Sequence, residues 1–252
     1  MPDNIRCLVT GATGYIGGRL VPALLDRGLQ VRAMARTPAK LEDAAWRSQM
    51  EVAQGDLTEP ESLAGAFDGM DVVYYLVHSM GTSKNFVAEE AESARNVVGA
   101  ARAAGVRRVV YLGGLHPDGA ELSRHLASHA AVGDILVDSG IETVVLQAGI
   151  VIGSGSASFQ MIRHLTERLP VMTAPKWVHN KIQPISIDDT LYYLVAALLG
   201  GGGHRGGTHI ADVGHRRTGR AQVRGGHALQ ETGTAAKGGR RHLVRFSPAV
   251  AE

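Results

Sequence analysis

The sequence predicts an α/β fold, a doubly wound parallel sheet with helices on both faces. Six short apolar runs alternate with helical patterns, which is how a parallel sheet covered by helices is written. The first run passes directly into glycines at Gly11, Gly14 and Gly17, where a strand turns into a helix. A length of 252 residues suits one such domain with a small appendage.

The elements follow in order. The first strand is RCLVTG, 6 to 11, and the helix after the glycines carries its apolar stripe on Ile16, Leu20 and Leu24. Pro22 falls inside that helix, where a missing N–H costs a hydrogen bond. Strands are expected at 30 to 36 (QVRAMAR) and 50 to 56 (MEVAQGD), then a helix start in which Thr58 and Glu61 have capping-box spacing around Pro60. The run DVVYYLVH, 71 to 78, is the fourth strand, and a long Ala- and Val-rich helix follows, stopped at Gly105. Strands at 107 to 114 and 142 to 149 complete the six. The domain is expected to span 1 to 199, with a substrate-side segment at about 153 to 199. In that segment Met161, Met172 and Trp177 suit either a pocket or ordinary core, and Asp188 and Asp189 suit a helix N-terminus. The run LYYLVAALL falls well short of the ~20 apolar residues of a membrane span, so it reads as a core helix.

Charge divides the chain unevenly. Residues 1 to 199 carry 17 basic and 21 acidic side chains, whereas 200 to 252 carry 9 and 3 and are rich in glycine and arginine. The single cysteine, Cys7, excludes an intramolecular disulfide. Together with the lack of a signal-peptide pattern, it sets the expectation of a cytoplasmic protein.

The glycine loop points to a dinucleotide. A phosphate needs backbone N–H groups aimed at it and room for the chain to come close, and glycines between a strand and a helix N-terminus supply both. Gly11 permits the turn, Gly14 the close approach and Gly17 the packing of helix on strand. The second strand ends Ala33-Met34-Ala35-Arg36 with no Asp or Glu to bind a ribose 2′-hydroxyl. Arg36 suits a 2′-phosphate and favours NADP(H), with NAD(H) second; Arg32, at an alternating position, is the weaker choice.

TGATGYIGG, VRAMARTPAKL, GDLTEPESL, DVVYYLVHSM and IQPISIDD follow one another in an order and spacing that resemble the atypical short-chain dehydrogenase/reductase proteins. This branch of the NAD-dependent epimerase/dehydratase superfamily includes NmrA-like redox sensors and an accessory subunit of respiratory complex I. The resemblance covers residues 5 to about 199 and implies a Rossmann-type fold. It implies that Gly11, Thr13, Gly14, Tyr15, Ile16 and Gly17 hold the pyrophosphate and Arg36 the adenosine ribose. It further implies that Asp56 and Leu57 flank the adenine, while Leu76, Val77 and His78 lie along the nicotinamide ribose.

Catalytic members of the wider superfamily use Ser, Tyr and Lys. Here the serine position reads Gly113-Gly114-Leu115, with His125 and His129 at the tyrosine and lysine positions. The standard proton-transfer groups are therefore missing, so no catalytic residue is assigned, although the His125 imidazole is of a type that can act as a general acid. His125 and His129 also have the spacing of a zinc pair. No Glu completes an H-E-x-x-H pattern, and other ligands are as distant as His116 and Asp118, so no metal is expected. Two functions stay open: an oxidoreductase on a small carbonyl or quinone-like substrate, or a non-catalytic dinucleotide sensor or assembly factor.

From Gly200 the apolar periodicity disappears. One expectation is a disordered basic tail; with Phe246 its only aromatic, it is poorly suited to nucleic acid. The other is a frame-shifted translation. Read one base late with CGN arginine codons, Gly214 to His227 can encode D-I-G-G-P-D-V-L-K-Y-A-E-A-M, which resembles the strand-turn-helix that follows in related chains.

Overall fold

The computed structural model describes residues 5–78, 85–116, 122–168, 184–199, 208–212 and 241–244. All six expected strands form: β1 (Arg6–Thr10), β2 (Gln30–Ala35), β3 (Glu51–Gln54), β4 (Val72–Tyr75), β5 (Arg108–Gly114) and β6 (Glu142–Ala148). The helices of the domain are α1 (Gly17–Leu25), α2 (Ala64–Phe67), α3 (Phe86–Ala103), α4 (Arg124–Val137), α5 (Ala157–Arg168) and α6 (Ile187–Leu199). A two-stranded parallel sheet, β7 (Val151–Ile152) with β8 (Ile185–Ser186), lies beside the main one. The structure adds β9 (Thr208–Asp212) and β10 (Arg241–Val244), two strands from the region where none was expected. β9 covers the edge of β6 with Val144 opposite His209, so pairing with an open edge overrides the weak local pattern.

The sheet runs β10-β9-β6-β5-β4-β1-β2-β3, all parallel. The chain starts at β1, moves outward through β2 and β3, then crosses back to lay β4 on the other side of β1. Between β1 and β4 the winding reverses, and the crevice at their C-terminal ends is where open α/β sheets take ligands. One apolar layer contains Val9, Leu20, Leu24, Tyr74 and Leu194, joining α1 and α6 to the sheet. The other contains Leu8, Phe67, Val97, Tyr111 and Leu136, joining α2, α3 and α4. Strands buried on both faces explain why the runs read as continuous apolar stretches.

Some local expectations change. The Thr58–Glu61 capping box does not form: Asp56 Oδ1 instead accepts from the Thr58 N–H at 3.0 Å and the Thr58 hydroxyl at 2.9 Å, and Pro60–Ser62 make a 3₁₀ turn. α1 passes through Pro22 without ending there. At α6 the cap is Ser186, whose hydroxyl accepts from the Asp189 N–H at 3.0 Å and donates to its carboxylate at 2.9 Å; Asp188 and Asp189 occupy the first turn. Met161 is 64% exposed, not core, while Met172 and Trp177 lie outside the described residues. At the opposite end of α6, Arg108 donates to Ala197 O at 2.9 Å and to Leu198 O at 2.5 Å, and pairs with Glu142 at 2.7 Å. A buried guanidinium thus meets the negative end of the helix.

Candidate functional site

The glycine loop closes on itself through Gly14 N–H to Gly11 O, 2.9 Å. Gly11 sits at φ +73°, a conformation that favours glycine, and a Cβ there would lie 3.1 Å from Leu76 O and 3.3 Å from Val77 Cγ2. A Cβ on Gly17 would lie 2.3 Å from Gly11 O, inside any tolerable contact, so the first turn of α1 packs directly on the loop backbone. No side chain caps that turn and no acidic residue stands in it. Its N–H end therefore suits an anion, as a pyrophosphate requires.

Thr13 and Gly14 are exposed on the loop, whereas Tyr15 and Ile16 turn inward. The Tyr15 hydroxyl is buried against Gly153 without a hydrogen-bond partner among the described residues. Arg19 stacks over the Tyr15 ring at 4.0 Å and donates to Tyr15 O at 3.1 Å and Ser154 O at 2.8 Å. The loop is thus braced against the segment after β6, and Tyr15 and Ile16 have only main chain to offer a ligand.

Beyond β4, the Leu76 N–H donates to Thr10 Oγ1 at 3.3 Å while that hydroxyl donates to Tyr74 O at 3.0 Å. This buried threonine ties the ends of β1 and β4 together. Leu76, Val77 and His78, expected at a strand end, lie in irregular backbone beside Gly11. At the far side of the crevice Arg36 is exposed and its guanidinium makes no hydrogen bond or ion pair among the described residues. Arg32 is committed elsewhere, to Glu51 at 2.8 Å and to the carbonyls of Gly65, Ala66 and Asp68 at 3.1, 3.1 and 2.9 Å. Leu57 is buried, its carbonyl held by Asn96 Nδ2 at 2.9 Å, and Asp56 is half-buried beside it.

The crevice continues into a cluster that local sequence patterns had not joined. His78 donates from Nε2 to Leu112 O at 2.8 Å and stacks on His129, ring centroids 4.2 Å apart. His129 Nδ1 accepts from the Gly114 N–H at 3.2 Å, so its proton stands on Nε2. Glu90, buried on α3, accepts a short hydrogen bond from the Ser128 hydroxyl. Burial holds the His78 imidazole down at about 4, with His129 adding to the effect, and burial also lowers His129. Both rings are neutral at pH 7. His125 is turned away: it is exposed and stacks on Phe86 at 4.6 Å. The two histidines therefore do not form the pair that their spacing suggested, and Asp118 lies outside the described residues.

A family profile described as NAD(P)H-binding matches residues 11–164, more than half of the chain. The chain belongs to this family. Curated relatives match part of this chain. A 3 beta-hydroxysteroid dehydrogenase/Delta 5-->4-isomerase of Mycobacterium tuberculosis is 36% identical over 116 residues, 42% of this chain and 30% of that protein. Quinone oxidoreductase 2 of Escherichia coli is 33% identical over 144 residues, 56% of this chain and 47% of that protein. The matched stretches thus span less than half the length of these curated relatives. Among solved structures, MoeE5 in complex with UDP-glucose and NAD superimposes with a TM-score of 0.66 at 21% identity, covering 83% of this chain and 76% of that one. This establishes the Rossmann-type fold, and the protein is an atypical short-chain dehydrogenase/reductase-like member of the NAD(P)H-binding family. The uncapped helix and the close-packed glycines fit a nicotinamide dinucleotide.

Side chains crowd the position where the family carries its serine. A Cβ on Gly113 would lie 2.9 Å from the Tyr111 ring, and one on Gly114 2.8 Å from Leu126 Cδ2 and 3.0 Å from His129 Nδ1. What local reading missed is Glu90. Its signal is present in the sequence: Glu90 lies four residues after Phe86 and four before Ala94 on the buried stripe of α3, an acid where an apolar residue is expected.

Proposed function

We propose that this chain is an NADP(H)-dependent oxidoreductase acting on a small apolar or quinone-like carbonyl in the cytoplasm. The observation that carries it is the cradle of Gly11, Gly14 and Gly17 under an uncapped, acid-free helix start. The preference for NADP(H) rests on Arg36, exposed at the C-terminal end of β2 with its charge uncommitted among the described residues, while Arg32 is consumed by Glu51 and three carbonyls. A 2′-phosphate offers the oxygens that a free guanidinium binds. The relation to a quinone oxidoreductase supports the substrate class, and the buried lone thiol Cys7 supports a reducing compartment.

When bound, the nicotinamide gives or takes a hydride at the substrate carbon. The chain's own contribution is positional. Gly11 and Gly14, with Thr13 and the backbone of Tyr15, Ile16 and Gly17, hold the pyrophosphate, Asp56 and Leu57 flank the adenine, and Leu76, Val77 and His78 shape the nicotinamide end. The proton for a reduced carbonyl oxygen comes from water or from the exposed His125.

A second reading, a non-catalytic sensor of dinucleotide redox state of the NmrA-like kind, draws on the absence of Ser, Tyr and Lys and on the Tyr111 ring crowding the Cβ position of Gly113. Fluorescence titration with NADPH and NADH tests the common part, and binding of neither refutes both readings. Arg36→Ala should weaken NADPH roughly 10- to 100-fold, the worth of a charge-assisted hydrogen bond, and leave NADH within about twofold. Screening carbonyls and quinones for NADPH oxidation, repeated with His125→Phe, separates enzyme from sensor.

A further inference from the structure

His78, Glu90 and His129 come from the loop after β4, from α3 and from α4, and no two are neighbours in sequence. Each brings one ligand-type atom to a common point, all within 4.8 Å of one another. The group lies at the C-terminal ends of β4 and β5, continuous with the crevice beside Gly11. We propose that these three side chains form a binding site for one divalent cation of the zinc class.

The donor set is chemically suited to such an ion. Two imidazole nitrogens and one carboxylate are the three-ligand set that holds zinc while leaving a fourth position open. Softer ligands are absent from the cluster and harder ones are few, which argues against copper(I) and against calcium or magnesium. The outer contacts are of the kind that orient ligands. The His78 Nε2–H to Leu112 O bond fixes its tautomer and leaves Nδ1 as the coordinating nitrogen. The Ser128 hydroxyl donates to Glu90 and so orients its carboxylate. Ligand atoms around tetrahedral zinc stand about 3.4 Å apart, so the three groups must draw in from their present spacing. His129 must also change: coordination through Nε2 moves its proton to Nδ1 and opens the 3.2 Å bond from the Gly114 N–H. Gly114 is half-exposed, so water can replace that bond. If the oxidoreductase reading holds, the ion's open position supplies the electrophile that Gly113 and Gly114 cannot; binding itself does not depend on that reading.

The test uses the full chain, stripped with a chelator and dialysed. Zn²⁺ is titrated in competition with a chromophoric chelator, and Co²⁺ by its visible absorption, each also against Glu90→Gln and His129→Phe. Both variants are close to isosteric: Gln keeps an acceptor for Ser128, and Phe keeps a ring against His78. Thermal melting and NADPH titration of the variants show whether they fold. The expected result is one equivalent of Zn²⁺, tetrahedral Co²⁺ absorption, and at least ~100-fold weaker binding in each folded variant. Five histidines lie beyond residue 200, and an ion held there would be insensitive to both substitutions. Binding that survives them, or no stoichiometric binding by the wild type, overturns the proposal and leaves a cluster held by hydrogen bonds alone. If one variant fails to fold, the other decides. NADPH binding without metal binding refutes this inference only; metal binding without NADPH binding refutes the proposed function only.

Discussion

Gly17 offers a steric probe of the cradle. Its Cβ position lies 2.3 Å from Gly11 O, 2.8 Å from Gly11 C and 2.9 Å from Ala12 Cα, all backbone atoms with no rotamer to yield. Restoring ordinary contact requires α1 and the loop to part by about 1 Å. The motion acts directly on Gly11, whose carbonyl accepts the 2.9 Å bond from Gly14 that shapes the loop. Gly17→Ala should cost about 1–3 kcal/mol of stability, as overpacking does, even though alanine favours helix. Because the displaced N–H groups are those proposed to hold the pyrophosphate, NADPH binding should fall at least ~10-fold, one factor of ten for each 1.4 kcal/mol. Gly99 is the control. It is exposed within α3 with nothing within 4 Å of its Cβ position, so Gly99→Ala should stabilise by about 0.5–1 kcal/mol and leave NADPH binding unchanged. Urea unfolding and fluorescence titration measure both. A Gly17→Ala protein with wild-type stability and affinity within twofold would show that the loop is not the close-packed cradle described above.

Arg108→Ala removes one guanidinium from three partners, the carbonyls of Ala197 and Leu198 and the Glu142 carboxylate. A loss of about 3–5 kcal/mol in urea unfolding is expected, because Glu142 is left part-buried without its cation; a loss under about 1 kcal/mol would contradict it. Stability should also decline on mild acidification in the presence of a chelator. His78 is held at about 4 in the folded chain against 6.5 when unfolded, so the unfolded state binds the proton first. The contribution is complete above pH 6.5 and is lost as pH falls toward 4, the loss amounting to about 2 kcal/mol by pH 5, with His129 adding in the same direction. Equal stability at pH 7.5 and pH 5 would refute neutral burial of the two rings. For the chain beyond 200, sequencing the gene around codons 199 to 214 decides between a basic tail and a shifted frame: the shift predicts a frame change there, while β9, Thr208–Asp212, lies just before Gly214.

The strand runs, the glycine spacing and the arginine at the end of β2 were legible because each is a local pattern. A doubly buried strand needs contiguous apolar residues, and a phosphate turn needs glycines at fixed offsets. The capping box at Thr58 failed because Asp56, two residues upstream, takes at 3.0 Å the Thr58 N–H that Glu61 would have to accept, and ties down the Thr58 hydroxyl at 2.9 Å. β9 and β10 were not legible, since an edge of β6 waiting to be paired is no property of residues 208–212.

By itself the sequence determined a sheet wound about a glycine loop and a dinucleotide held there. Only tertiary structure decided which charges and rings meet. Arg32 and Arg36 are equivalent in composition, yet Arg32 stands within β2 opposite Glu51 and beside α2, whereas Arg36 lies just past the strand's end at the crevice. His125 and His129 share one helix, but only His129 faces the sheet, where packing from α3 and the β4 loop brings Glu90 and His78 to it. Such meetings depend on how elements far apart in the chain are stacked, and side-chain spacing within one element cannot encode them.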